Sequence, residues 1–220
     1  MITDTGKNLS VLIVTEPGMD WQTFATWYSF LKNLPEAKTC VFCYRNGETP
    51  FVFYQWTKRL NVPTLRQKID PDNPEQVNWL YAVKSSAGLL GENVLVVRPY
   101  VTALEPFSEA DLGALNAGND VINENAWFLS KPDVDRMLNE YFLEDKRPEP
   151  SPYRLCHEAN ETEQLVALAS YQKGCGRWIH TAKGCPFSCA AGLVSETMTV
   201  NEHRVVELWK KMVPLYNAVV

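Results

Sequence analysis

The sequence predicts an α/β fold: a mostly parallel central sheet flanked by helices, in a single domain. Three observations point there. Short apolar, β-branched runs recur at Leu9–Thr15, Thr39–Tyr44 and Val94–Val97, the signature of strands covered on both faces. Amphipathic stretches of helical period separate them, so each strand is followed by a crossover rather than a hairpin, which makes a parallel sheet. The chain has 220 residues, 45% of them hydrophobic, enough for one well-buried α/β core.

Element by element, Leu9–Thr15 is the first strand, and Glu16-Pro17-Gly18 stops it. Asp20 is expected to cap a helix running to about Leu34, with Trp21, Phe24, Ala25, Tyr28 and Leu31 on its core face. Pro35 ends that helix. Thr39–Tyr44 is the second strand, and Arg45-Asn46-Gly47 is a turn. Phe51–Leu60 fits a short aromatic helix, and Val62–Leu65 a third strand. Pro74 suits the first turn of a helix to about Leu90. Gly91-Glu92-Asn93 then turns into Val94–Val97.

The second half is less regular. Thr102–Gly118 reads as a loop with one helical turn over Ser108–Leu115. Ala126–Ser130 is predicted as an edge strand, followed by a helix from Pro132 to about Leu143. Glu144–Pro152 is charged, holds three prolines and reads as an exposed linker. The segment after it is too small for an independent core, so no domain boundary is placed there. Asn160 caps a helix over Glu161–Lys173, and Gly174-Cys175-Gly176 ends it. Trp178–Leu193 is rich in glycine and cysteine with little periodicity. Thr199 to Glu202 is a capping box. It opens a last helix with Val205, Val206, Leu208, Trp209 and Met212 on its apolar face, ended by Pro214.

Composition excludes several classes. The formal net charge of −5 gives no electrostatic footprint for nucleic acid or an anionic membrane. No apolar run approaches the roughly 20 residues that span a bilayer. Met1–Leu9 is polar and lacks a signal-peptide core, so a cytoplasmic protein is expected. In a reducing compartment the six cysteines are free thiols. Cys40 and Cys43 form a C-x-x-C that could join later cysteines, His157 or His180 around zinc. Within a strand, however, residues three apart face opposite sides, which favours buried thiols over a metal site.

Ligands of open parallel sheets bind at the carboxyl ends of the strands. The residues there are Thr15-Glu16-Pro17, Arg45-Asn46, Arg66-Gln67-Lys68 and Arg98-Pro99-Tyr100, and three of these four sets carry an arginine. Convergent guanidinium groups suit phosphate or carboxylate; arginines that merely cap the rim in solvent are the alternative. Further along, Cys156-His157-Glu158 is a poor nucleophile–base dyad, since sequence neighbours rarely face each other. His157 or Glu158 alone would serve as a general base in a cleft. Lys173-Gly174-Cys175-Gly176-Arg177-Trp178 and Lys183-Gly184-Cys185 repeat a glycine-rich basic pattern. Lys183 would bind phosphate and Trp178 would stack on a sugar or base; a tight structural loop with two buried thiols is the alternative. G-x-G-x-x-G after the first strand, the P-loop, G-x-S-x-G and H-E-x-x-H are all absent from the sequence.

On element order, Val11–Val97 resembles the nucleotide-binding half of the GT-A glycosyltransferases, the Rossmann-like nucleotide-diphosphosugar transferase fold. The resemblance implies that residues 1–104 hold the nucleotide, with Thr15, Glu16 and Arg66 as binding residues beside the strand-end Arg45 and Tyr100, and that residues 105–220 supply the acceptor side. It implies a sugar transferred from a nucleotide-sugar donor to a hydroxyl acceptor of unknown identity. The family's acidic metal motif, D-x-D, follows its fourth strand; this chain has Arg98-Pro99-Tyr100. A divalent cation stays open as a cofactor, but its motif is absent. Transfer is expected to be metal-independent, with Arg98 stabilising the departing diphosphate and His157, Glu158 or Glu161 as base. The alternatives are a transferase fold that binds without turnover, and an assembly subunit whose aromatic surface packs on a partner, a homo-oligomer included.

Overall fold

The computed structural model describes residues 8–15, 18–45, 51–68, 79–99, 101–114, 126–136, 177–178, 187–189 and 200–220. β1 (Leu9–Thr15), α1 (Asp20–Asn33), β2 (Lys38–Arg45), α2 (Phe51–Arg59), β3 (Thr64–Lys68), α3 (Trp79–Ser86) and β4 (Asn93–Val97) alternate through the first half. β1 is buried along its whole length, which is why it is apolar on both faces. It pairs in parallel with β2 on one side and β4 on the other, and β2 pairs in parallel with β3.

The strand order β3-β2-β1-β4 dictates which helix covers which face. The chain steps outward from β1 to β3, then returns past β1 to β4. Crossovers keep a right-handed sense, so reversing the direction of travel moves the connecting helix to the other face. α1 and α2 share one core, where Phe24, Phe30 and Trp56 join Val11, Ile13 and Val97. α3 covers the opposite face, where Ala82 and Val83 join Leu12, Phe42 and Val96.

Beyond β4 come β5 (Val101–Ala103), α4 (Glu109–Ala114), β6 (Ala126–Leu129), α5 (Lys131–Arg136), β7 (Arg177–Trp178), β8 (Phe187–Cys189) and α6 (Val200–Val219). The main sheet continues antiparallel, β6 on β4 and β7 on β6. β5 and β8 make a separate antiparallel ribbon. α6 joins the α1 face: Val205, Trp209 and Met212 are buried in that core. The Trp209 Nε1–H donates to Thr102 Oγ1 of β5 at 2.9 Å.

Several expectations need correction. The third strand is Thr64–Lys68, not Val62–Leu65. Val62 is held at the exit of α2, its N–H donating to Thr57 O at 2.8 Å, so the ladder starts at Thr64. Arg66 therefore lies inside the strand rather than after it. Ala126–Leu129 is no edge strand, because β7 pairs with its outer side. Val101–Ala103 is a strand rather than loop, paired with residues 187–189. Asp20 is the first helical residue of α1, Met19 holds the cap position, and no side chain bonds there. Leu31 is 42% exposed, whereas Thr23, Thr26, Trp27, Ser29 and Phe30 are buried. α1 touches both the sheet and the β5 segment, so its buried arc is wider than its apolar stripe. Finally, α6 runs through Pro214 to Val219. The proline removes one helix bond, but Tyr216 and Val219 pack against the core beyond it. Pro74, the linker Glu144–Pro152, the helix Glu161–Lys173 and the cap Thr199 lie outside the described residues.

Candidate functional site

The chain segments leaving β1 and β4 both join the α1-face core. Between these two strands the direction of travel reverses, and ligands of doubly covered sheets bind beside such a reversal, at the carboxyl edge. Thr15, the last residue of β1, is buried there. Its Oγ1 lies 2.7 Å from Thr23 Oγ1, and Thr23 Oγ1 donates to Met19 O at 2.6 Å. Thr23 has one hydroxyl proton, so Thr15 is the donor to Thr23.

The same side of α1 holds the chain that leaves β4. Thr26 Oγ1 donates to Pro99 O. Ser29 Oγ accepts the Ala103 N–H at 3.0 Å, and Asn33 Nδ2 donates to Ala103 O at 3.1 Å. Residues three or four apart share one helix face, so these side chains form one polar stripe that ties Pro99 and Ala103 to α1. Arg98 is thereby fixed between the β4 ladder and this stripe.

Arg98 follows β4 two residues after Val96, and strand alternation carries it to the α3 face. Tyr44 of β2 is buried on that face with Phe42. Phe42 meets Tyr44 edge-on at 4.9 Å between ring centroids and Tyr81 of α3 at 6.5 Å. The Tyr44 phenol is pushed well above its ordinary value, chiefly by burial; the Arg98 charge opposes this and Tyr81 adds to it. Arg98 is half-buried, with its Nε shielded from solvent.

The other predicted site residues scatter. Arg45 is the last residue of β2, in register with Lys68 of β3. Arg66 is in register with Cys43, a residue of the α1-face core, while its neighbour Leu65 packs on the α3 face. Arg66 therefore lies on the α1 face. It is three strand positions from β4, roughly 14 Å at the usual strand spacing. Arg66 and Arg98 do not converge, because the register of Arg66 with Cys43 puts it on the α1 face, three strands away from β4. Trp178 is in register with Trp127 of β6. Glu16, Tyr100, His157, Glu158 and Lys183 lie outside the described residues. Cys40 and Cys43 are buried in opposite cores, so one ion cannot take both. Burial pushes the Cys40 thiol up to about 11.

Asp20 bears on the site in a way the sequence reading missed. It stands in the first turn of α1, where doubly wound sheets often receive phosphate. Burial raises its carboxyl above the ordinary range, with its own backbone N–H opposing. Tyr216 of α6 is raised by burial and then by Asp20. A carboxylate at this helix end disfavours an anion there. The signal was legible: an acidic residue directly after the first strand–turn.

A divalent cation at the end of β4 would meet a guanidinium instead of a carboxylate, so the donor chemistry at that corner does not fit one. Among the described residues no cluster of three or more His, Cys, Asp or Glu could hold a metal. No described helix is long and apolar enough to cross a membrane. No family model and no curated protein matches the chain.

Proposed function

We propose that the chain is a GT-A-like, Rossmann-like sugar-transfer enzyme that uses a nucleotide-sugar donor without a divalent metal. The observation that carries the reading is Arg98. It stands at the carboxyl end of β4, beside the reversal of strand order, with its Nε buried. A fixed positive charge in a partly dry corner stabilises a diphosphate as negative charge develops on the leaving group. Thr15 and Asp20, on the β1 side, suit the hydroxyl and N–H groups of a ribose or base. His157 or Glu158 would take the proton of the acceptor hydroxyl, and Trp178 and Lys183 would complete the donor and acceptor side. The buried thiols suit a reducing, cytoplasmic setting, and a homo-oligomer is compatible with this scheme.

The described corner offers hydrogen-bond donors, which favours one second reading: the same fold binding a nucleotide sugar without turnover. Calorimetric titration with nucleotides and nucleotide sugars, with and without Mn²⁺ or Mg²⁺, tests both. Binding that ignores the metal and is lost in Arg98→Ala supports the site; absence of binding to every member sinks both readings. Donor hydrolysis or transfer then separates enzyme from binding protein.

A further inference from the structure

We infer that α6 is a strap across the strand-end site, with Trp209 as the positioning residue that holds together the two chain exits flanking it, one after β1 and one after β4. The inference rests on the reading above only for the ligand; the coupling between the exits stands apart from it. One side chain reaches both exits. The Trp209 ring meets Trp21, in the first turn of α1, edge-on at 83° with 6.4 Å between ring centroids. Its Nε1–H donates to Thr102 Oγ1 at 2.9 Å, and both residues are buried. Trp21 stands just before Thr23, whose Oγ1 lies 2.7 Å from Thr15 Oγ1 at the end of β1. Thr102 follows Val101, whose N–H donates to Arg98 O at 3.2 Å. Each exit is thus one short step from the same indole.

The rest of α6 fixes where that indole stands. Tyr216, about two turns further along the helix, packs 5.2 Å from both Trp21 and Phe24. Arg204, near the helix start, reaches Glu105 at 3.6 Å, a pair of half-exposed side chains that adds little. The polar stripe of α1 already holds the second exit through Ser29 and the Ala103 N–H. Side chains alternate along a strand, so Thr102 differs in direction from Val101 and Ala103, and its hydroxyl is the handle that α6 takes. A hydrogen bond fixes direction as well as distance. Removing either partner of this buried bond leaves the other unsatisfied, so the exit after β4 keeps its position only while Trp209 is docked.

Amide hydrogen exchange on the full chain tests the coupling. Trp209→Phe keeps a ring against Trp21 and removes the N–H donor. Thr102→Val removes the acceptor, and Thr102→Ser retains it. In the first two variants, exchange at the Val101 N–H and at the Thr23 N–H, which donates to Met19 O at 2.8 Å, should rise about tenfold. The amides of the β1–β4 ladder should hold, and Thr102→Ser should behave as the wild type. Inorganic pyrophosphate, titrated by calorimetry, should bind a few-fold more weakly to the first two variants and unchanged to Thr102→Ser. Unchanged exchange, a rise confined to Val101, or a rise spread evenly over the ladder each overturn the strap. Pyrophosphate binding that is lost in Arg98→Ala and unchanged in Trp209→Phe overturns it too. If exchange rises at both exits while the wild type binds neither pyrophosphate nor a nucleotide sugar, the strap stands and the transferase reading falls.

Discussion

Ser29 shows how this protein tolerates polar groups in its core. Its hydroxyl is buried between α1 and β5, accepting from Ala103 N–H and donating to Thr26 O at 2.8 Å. Ser29→Ala would strand a buried amide donor. The expected cost is about 1–3 kcal/mol, read as a lower urea midpoint at unchanged slope. Asp20 makes a second prediction at this scale. Its folded pKa is raised above 3.8, so the folded state holds the proton more tightly than the unfolded chain. Its contribution to stability is fully present below that ordinary value and is lost as pH rises through the folded pKa. Asp20→Asn should therefore gain stability relative to wild type from acid to neutral pH, with the difference vanishing near pH 3. A thermal-unfolding series over pH checks this, and an unchanged difference would refute it. These single residues were visible in the sequence, but not their surroundings. Serine and threonine at three- and four-residue spacing read equally well as a solvated helix face.

At the scale of the element, α6 is the instructive case. Its apolar face was legible, and Val205, Trp209 and Met212 are buried as the period requires. Its end was not. Proline is a local stop signal, costing about 3 kcal/mol in a helix interior, yet α6 continues to Val219. Tyr216 packs 5.2 Å from both Trp21 and Phe24, and that tertiary contact outweighs the local preference. Pro214 is exposed, so Pro214→Ala restores a backbone bond without disturbing the core. It should raise stability by about 1–3 kcal/mol, measured as a higher melting temperature; a fall would show that the proline shapes the packing of Tyr216. β3 teaches the converse. Its apolar residues were recognised, but the exit bond of α2 uses Val62, and the strand shifts two residues onto polar ones.

For the whole molecule, the order β3-β2-β1-β4 matters most, because it splits the helices between two faces. On the proposed function, a ligand held beside Arg98 stabilises the folded chain by about 2.7 kcal/mol at a hundredfold excess over Kd. For a chain of this size that is a rise in melting temperature of roughly 5–11 °C. Pyrophosphate should produce it in the wild type and not in Arg98→Ala. The sequence by itself determined the α/β alternation, the doubly covered β1 and β4, the amphipathic faces and the position of Arg98 at the end of β4. These features come from hydrophobic period and turn chemistry, which act over a few residues. Tertiary structure alone decided that β5 pairs with β8, with Val101 facing Cys189 in register, and that β7 covers β6. It also placed Arg66 on one face and Arg98 with Tyr44 on the other. Such outcomes depend on strand order and pleat phase, which are set by pairings between distant residues and leave no local mark.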